Sequence, residues 1–182
     1  MGYRHDREDV LRAAVQVASD SGLGKLTFRA TGRHLGIADR TVVYYYPNKT
    51  DLVTAVLGRA TEQLLDTVAP AVGDSMLSER ELLAVSWGAL QQPRADPWVR
   101  LYAETLGLAV RGNEPYAFIA SGLAQTWIHW LALHLVDDRP DGSVHDRAAG
   151  LLAILDGLLF MHTTVGPEVA ASAFRGLAIP PD

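Results

Sequence analysis

Leu26–Leu52 reads LTFRATGRHLGIADRTVVYYYPNKTDL. Thr27 carries the hydroxyl of a good N-cap, so a short helix is expected behind it, ending near Leu35. Gly36 follows, at a point where a tight helix-to-helix turn calls for positive φ. A second short helix is predicted from about Ala38 to Tyr45, before Pro47 and Asn48 break it. Two short helices joined by a glycine turn form a helix-turn-helix, whose second helix fits the major groove, about 12 Å wide. Its N-terminal residues would then meet base edges. Asp39, Arg40, Thr41 and Tyr44 are the polar candidates on or near that outer face, whereas Val42 and Tyr46 suit an inward position. Lys49 opens the next helix, where its ammonium can join the N-terminal amides as a phosphate grip.

Outward from this stretch, apolar residues recur at spacings of three and four, and no segment alternates over strand length. Val10, Leu11, Ala14, Val17 and Ala18 form one stripe, giving a first helix near 6–21 that Ser21, Gly22 and Gly24 stop. Asn48 can cap a fourth helix holding Leu52, Val53, Val56, Leu57, Leu64 and Leu65, expected to stop before Pro70. Further helices are predicted near 78–91, 97–111, 115–136 and 145–164, with a short piece near 167–176. Asp137–Ser143 reads as a surface loop. The fold class is all-α, a three-helix head on a helical body with about nine helices.

The net charge of −5 argues against a nucleic-acid partner until it is divided. Residues 1–50 hold eight Lys/Arg against five Asp/Glu, and residues 51–182 hold eight against sixteen. A basic head of +3 on an acidic body of −8 suits a protein that meets phosphate with one end only. There are no cysteines, which removes disulfides, thiolate metal sites and cysteine nucleophiles. The first residues are charged and lack the apolar run of a signal peptide, and the most apolar stretch, 117–136, is interrupted by Gln125, His129 and His134. A cytoplasmic location is expected.

Several features of the head resemble the tetracycline-repressor (TetR) family of bacterial regulators over about residues 7–57. They are Ala13–Ala14, Gly22, Leu26-Thr27-x-Arg29, Leu35-Gly36-Ile37, Thr41, the run Tyr44–Tyr46 and Lys49-x-x-Leu52. The resemblance implies a DNA-binding domain over 1–47 and a ligand-binding, dimerising domain over 48–182. By position it implies that Tyr45 and Lys49 meet phosphate and that Thr27 caps a helix whose end does so too. Arg29 and Arg33 are either further contacts or solubilising charges. Three departures stand out: Thr31-Gly32 where Ile-Ala is frequent, Ala38 where a capping Ser is common, and Val43 in place of a frequent Tyr.

The body carries Trp87, Trp98, Tyr102, Trp127, Trp130 and Phe160, which suit the packing of a large core first and the lining of a drug-sized pocket second. Trp87, Tyr102, Trp127 and Phe160 are the candidate ligand contacts. Glu104, Gln125, His129, Asp156 and His162 sit inside apolar helices and need partners if buried. His129 and His134 are five apart, off the four-residue spacing that would stack two ligands on one helix face. No metal, cofactor or catalytic set is expected. Ile119, Leu123, Trp127, Trp130 and Leu131 make one broad apolar stripe, and Leu151, Leu152, Leu155, Leu158 and Leu159 another. In similar regulators the last two long helices pair with those of a second copy. The expected function is therefore a dimeric repressor that a small apolar or aromatic molecule releases from a pseudo-palindromic operator. A ligand-independent regulator or activator with the same head, or an all-α enzyme, are the alternatives.

Overall fold

In the computed structural model, residues 5–137 and 143–177 are described, so most of the Asp137–Ser143 loop lies outside them. Among the described residues the chain forms nine α-helices, one 3₁₀ turn and no strand. The helices are α1 (Arg7–Ser21), α2 (Phe28–Leu35), α3 (Asp39–Tyr45), α4 (Lys49–Val72), α5 (Glu79–Leu90), α6 (Asp96–Val110), α7 (Tyr116–Ala132), α8 (Val144–Thr164) and α9 (Pro167–Gly176). The 3₁₀ turn, Leu23–Lys25, joins α1 to the segment before α2.

Local chemistry accounts for the helix starts. Asp6 and Asp9 make a reciprocal capping box at α1, and Ser78 and Glu81 do the same at α5. Thr27 Oγ1 accepts the Ala30 amide at 3.0 Å, as the cap reading requires. Asn48 Oδ1 likewise accepts the Asp51 amide at 2.9 Å at the head of α4. Ala38 offers α3 no side-chain cap.

The chain divides into two compact units, Met1–Gln63 with Arg100–Ala120, and Leu64–Val99 with Ser121–Asp182. The first unit packs α1, α2 and α3 against one another over a core that includes Val10, Ala14, Leu23, Leu26, Val42 and Leu52. In the second, α8 packs against α5 and α9, burying Leu82, Leu83, Leu155 and Ala170. A single parallel bridge between Leu77 and Leu135 ties the start of this unit to the chain just past α7.

Two expectations are corrected. α4 does not stop before Pro70 but runs to Val72 with the proline inside its last turn. The proline costs the helix one N–H bond and crowds the carbonyl four residues back, but only the end of the last turn follows it, and Gly73 closes the helix at φ +64° by donating to the Ala69 carbonyl at 2.8 Å. The leucine stripe of α8 is also not an outer face. Leu151, Leu152, Leu155, Leu158 and Leu159 are all buried within the chain, in the unit where α5 and α9 pack on α8. Gly150, Ala153, Gly157 and Phe160 form the exposed face instead, and Phe160 is 65% exposed.

Candidate nucleic-acid interface

The turn between α2 and α3 is built by two glycines. Gly36 sits at φ +73° in the left-handed region, closing α2 as the sequence required. Gly32 lets the two helices approach. A Cβ there would lie 2.9 Å from the Ile37 carbonyl oxygen and 3.3 Å from the Asp39 nitrogen. The Ile37 amide reaches back to the Gly32 carbonyl at 2.9 Å. What reads as a costly glycine in a helix is therefore a packing requirement of the turn.

α3 is fixed from its inner side. Val42 and Tyr46 are buried, as expected. The Arg7 guanidinium lies 5.1 Å over the Tyr46 ring, and burial raises the Tyr46 pKa above its usual value. Tyr45 is half-buried, and its hydroxyl donates to the His5 carbonyl at 2.9 Å. This bond ties the C-terminal end of α3 to the residues just before α1. The Tyr45 ring meets Tyr44 edge-on at 5.0 Å and 84°. Tyr44 itself is 66% exposed.

The outer face of α3 thus presents Asp39, Arg40, Val43 and Tyr44, with Thr41 half-buried beside them. Asp39 is turned onto its own helix end, where its carboxylate accepts the Arg40 amide at 2.8 Å. The acids of α1 are also engaged. Asp9 pairs with Arg12, and Glu8 takes both terminal nitrogens of Arg59 at 2.9 and 3.1 Å. The Asp6 amide, and Arg12 to a lesser degree, hold the Asp9 pKa below its usual value. Lys25, Arg29, Arg33, Arg40 and Lys49 are exposed and make no ion pair among the described residues. Thr27 is exposed too, and its hydroxyl proton remains free to donate because the cap bond uses only a lone pair.

Residues 10–56 match the family model of the bacterial regulatory proteins, tetR family. The family likeness covers α2, α3 and parts of α1 and α4. The fold of the whole chain is also that of solved structures. A TetR-family regulator from Cytophaga hutchinsonii is 14% identical, covers 94% of this chain and 90% of its own, and superposes with a TM-score of 0.73. A TetR-family member from Streptomyces coelicolor A3 is 25% identical over 96% and 98% of the two chains, with a TM-score of 0.70. The multidrug binding protein EbrR, complexed with imidazole, is 23% identical over 98% of both chains, with a TM-score of 0.71. Among curated proteins none matches the chain.

The expected ligand contacts differ in burial and fall in both units. Trp87 and Trp127 are buried in the second unit, Tyr102 is buried in the first, and Phe160 is exposed. Trp87 packs edge-on to His162 at 6.0 Å and lies 6.3 Å from Phe174. Next to this cluster a cavity of about 260 Å³ is lined by Leu90, Gln91, Gln92, Pro93, Asp96, Val99 and His162. The Nδ1 of His162 is buried and has no hydrogen-bond partner among the described residues. Gln125 and His129 are exposed and need no buried partner. No group of three or more metal-binding side chains occurs among the described residues, nor any helix long and apolar enough to cross a membrane.

Glu104 has the partner that its intrahelical position demanded. Its carboxylate accepts the Leu23 amide at 2.8 Å and the Gly24 amide at 3.3 Å, within the first unit and across some eighty residues of chain. A polar residue in an apolar helix signalled that a partner was needed. Nothing in the sequence identified the 3₁₀ turn as that partner.

Proposed function

We propose that the chain is a TetR-family regulator, a dimeric, cytoplasmic repressor and not an enzyme, that binds a pseudo-palindromic operator and is released by a small apolar or aromatic molecule. Residues 1–47 serve as the DNA-binding domain and 48–182 as the ligand-binding and dimerisation domain. The observation that carries this reading is the face of α3, where Arg40 and Tyr44 are exposed while Val42 and Tyr46 anchor the helix from behind. Arg40 and Tyr44 read base edges or adjacent phosphates, with Thr41 beside them. Thr27, Arg29 and Lys49 hold the backbone on either side.

Two further observations support the other parts. The exposed face of α8, with small residues at Gly150, Ala153 and Gly157 beside Phe160, is shaped for close approach by a second copy. The buried, unpartnered Nδ1 of His162 beside the 260 Å³ cavity gives the second unit a polar group whose environment a ligand would change. An effector releases DNA only by binding the DNA-incompetent state more tightly.

The test is a mobility shift on duplexes selected from a random pool by the wild-type protein. Arg40→Ala and Lys49→Ala should each weaken binding with helical circular dichroism unchanged, and Lys49→Ala should flatten the salt slope by about one unit per protomer. Wild-type affinity and salt dependence in both variants would refute the site. Operator release by compounds that also quench tryptophan fluorescence tests the effector.

A further inference from the structure

We infer that Val43 is a base-reading residue, and that it reads the C5 methyl group of a thymine in the major groove. The inference rests on the DNA-binding reading above and adds to it one specificity determinant and the base it selects. Val43 occupies the middle of the exposed face of α3, between Arg40 and Tyr44, and is 38% exposed. Of the four side chains on that face it alone has no hydrogen-bond donor or acceptor. Packing does not explain it, since the inward positions of the helix are filled by Val42 and Tyr46. Nor does helix propensity, because a β-branched residue weakens a seven-residue helix that already lacks a side-chain cap.

The surroundings determine what an exposed aliphatic group here can recognise. Asp39, one turn earlier, is turned onto the Arg40 amide, and the Tyr44 ring is steadied edge-on by Tyr45. Val43 therefore stands between a free guanidinium and a fixed ring, on an element flanked by unpaired cations that favour a phosphate-lined partner. Phosphate offers a valine nothing. Among base edges in the major groove, the thymine methyl is the one apolar group, and apolar side chains are its usual partners.

The experiment uses the full-length protein and the duplex it selects from a random pool. Each thymine of the selected site is replaced in turn by deoxyuridine, which removes the methyl and leaves every hydrogen-bonding atom in place. At one position per half-site the substitution should cost about fourfold in affinity, or about 0.8 kcal/mol at 1.4 kcal/mol per factor of ten. With Val43→Ala that cost should fall to about one, while costs at other positions stay as in wild type. Val43→Thr, which keeps one methyl and the β-branch, should retain part of the discrimination and guards against a misfolded alanine variant. Two results would overturn the inference alone: a site at which no thymine methyl matters, or a methyl effect that persists in Val43→Ala. A protein that selected no duplex at all would overturn the DNA-binding reading together with it.

Discussion

Replacing Glu104 with alanine removes the acceptor for two backbone amides of the 3₁₀ turn, and the cost can be worked from the geometry. The bond to the Leu23 amide is 2.8 Å long, and Leu23 itself is fully buried. A hydrogen bond to a charged group contributes about 1.5–3 kcal/mol, and a donor left buried without a partner loses the benefit of water as well. The bond to Gly24 is longer, 3.3 Å, and Gly24 is exposed, so water can replace it at little cost. The sum is about 2–3 kcal/mol for Glu104→Ala, and roughly half of that for Glu104→Gln, which keeps an oxygen but loses the charge. For a chain of this size that is a fall in melting temperature of roughly 5–10 °C. Gly22 provides a control: at φ +82° its position admits a side chain poorly, and a Cβ there would sit 3.1 Å from the Glu104 carboxylate. Gly22→Ala and Glu104→Ala should therefore be non-additive, because each disturbs the same contact. Chemical denaturation gives the free energies, and hydrogen exchange at the Leu23 and Gly24 amides localises the change. If Glu104→Ala left stability within about 0.5 kcal/mol of wild type and both amides as protected as before, the reasoning would fail.

Three further outcomes are expected. Gly32→Ala should lower the melting temperature despite a helix-propensity gain of about 1 kcal/mol, because its Cβ would press on the Ile37 carbonyl at 2.9 Å. Phe160→Lys should shift the protein toward monomer in sedimentation with its helicity kept, whereas Leu155→Lys, at a buried position, should unfold it. Asp9 and Glu81 have pKa values lowered chiefly by the backbone amides of Asp6 and Ser78. The capping boxes should thus contribute fully above the ordinary carboxylate range and be lost as pH falls through the depressed values, seen as faster exchange of those two amides.

The head was readable from sequence because its determinants are local. Thr27, Gly36 and Asn48 act on residues within one turn of themselves, and spacings of three and four place Val42 and Tyr46 inward whatever the rest of the chain does. What was not legible has the opposite property. Tyr45 resembles a phosphate contact by position, and nothing local announces that its hydroxyl also donates to the His5 carbonyl forty residues away. The leucines of α8 and the exposed Phe160 were assigned opposite roles because a helix apolar on most of its circumference does not say which side its own chain will cover. Packing by α5 and α9 decides that, and packing of elements distant in sequence leaves no periodic trace.

The charge count illustrates the same limit and strengthens the functional reading. A head of +3 is a weak electrostatic signal if its charges are spread evenly. They are not. Asp6, Glu8 and Asp9 lie on or beside α1 and are committed to a cap, to Arg12 and to Arg59, while Asp39 bonds the amide that follows it. The uncommitted cations fall on the 3₁₀ turn, α2, α3 and the first residue of α4. Those elements carry Lys25, Arg29, Arg33, Arg40 and Lys49 against Asp39 alone, so they are more positive than the sum for the head implies, and they hold the helix-turn-helix. An exposed carboxylate on that face would repel phosphate. The one present, Asp39, has turned its oxygen onto the helix end, so Arg40, Val43 and Tyr44 are left as the side chains that can meet the bases.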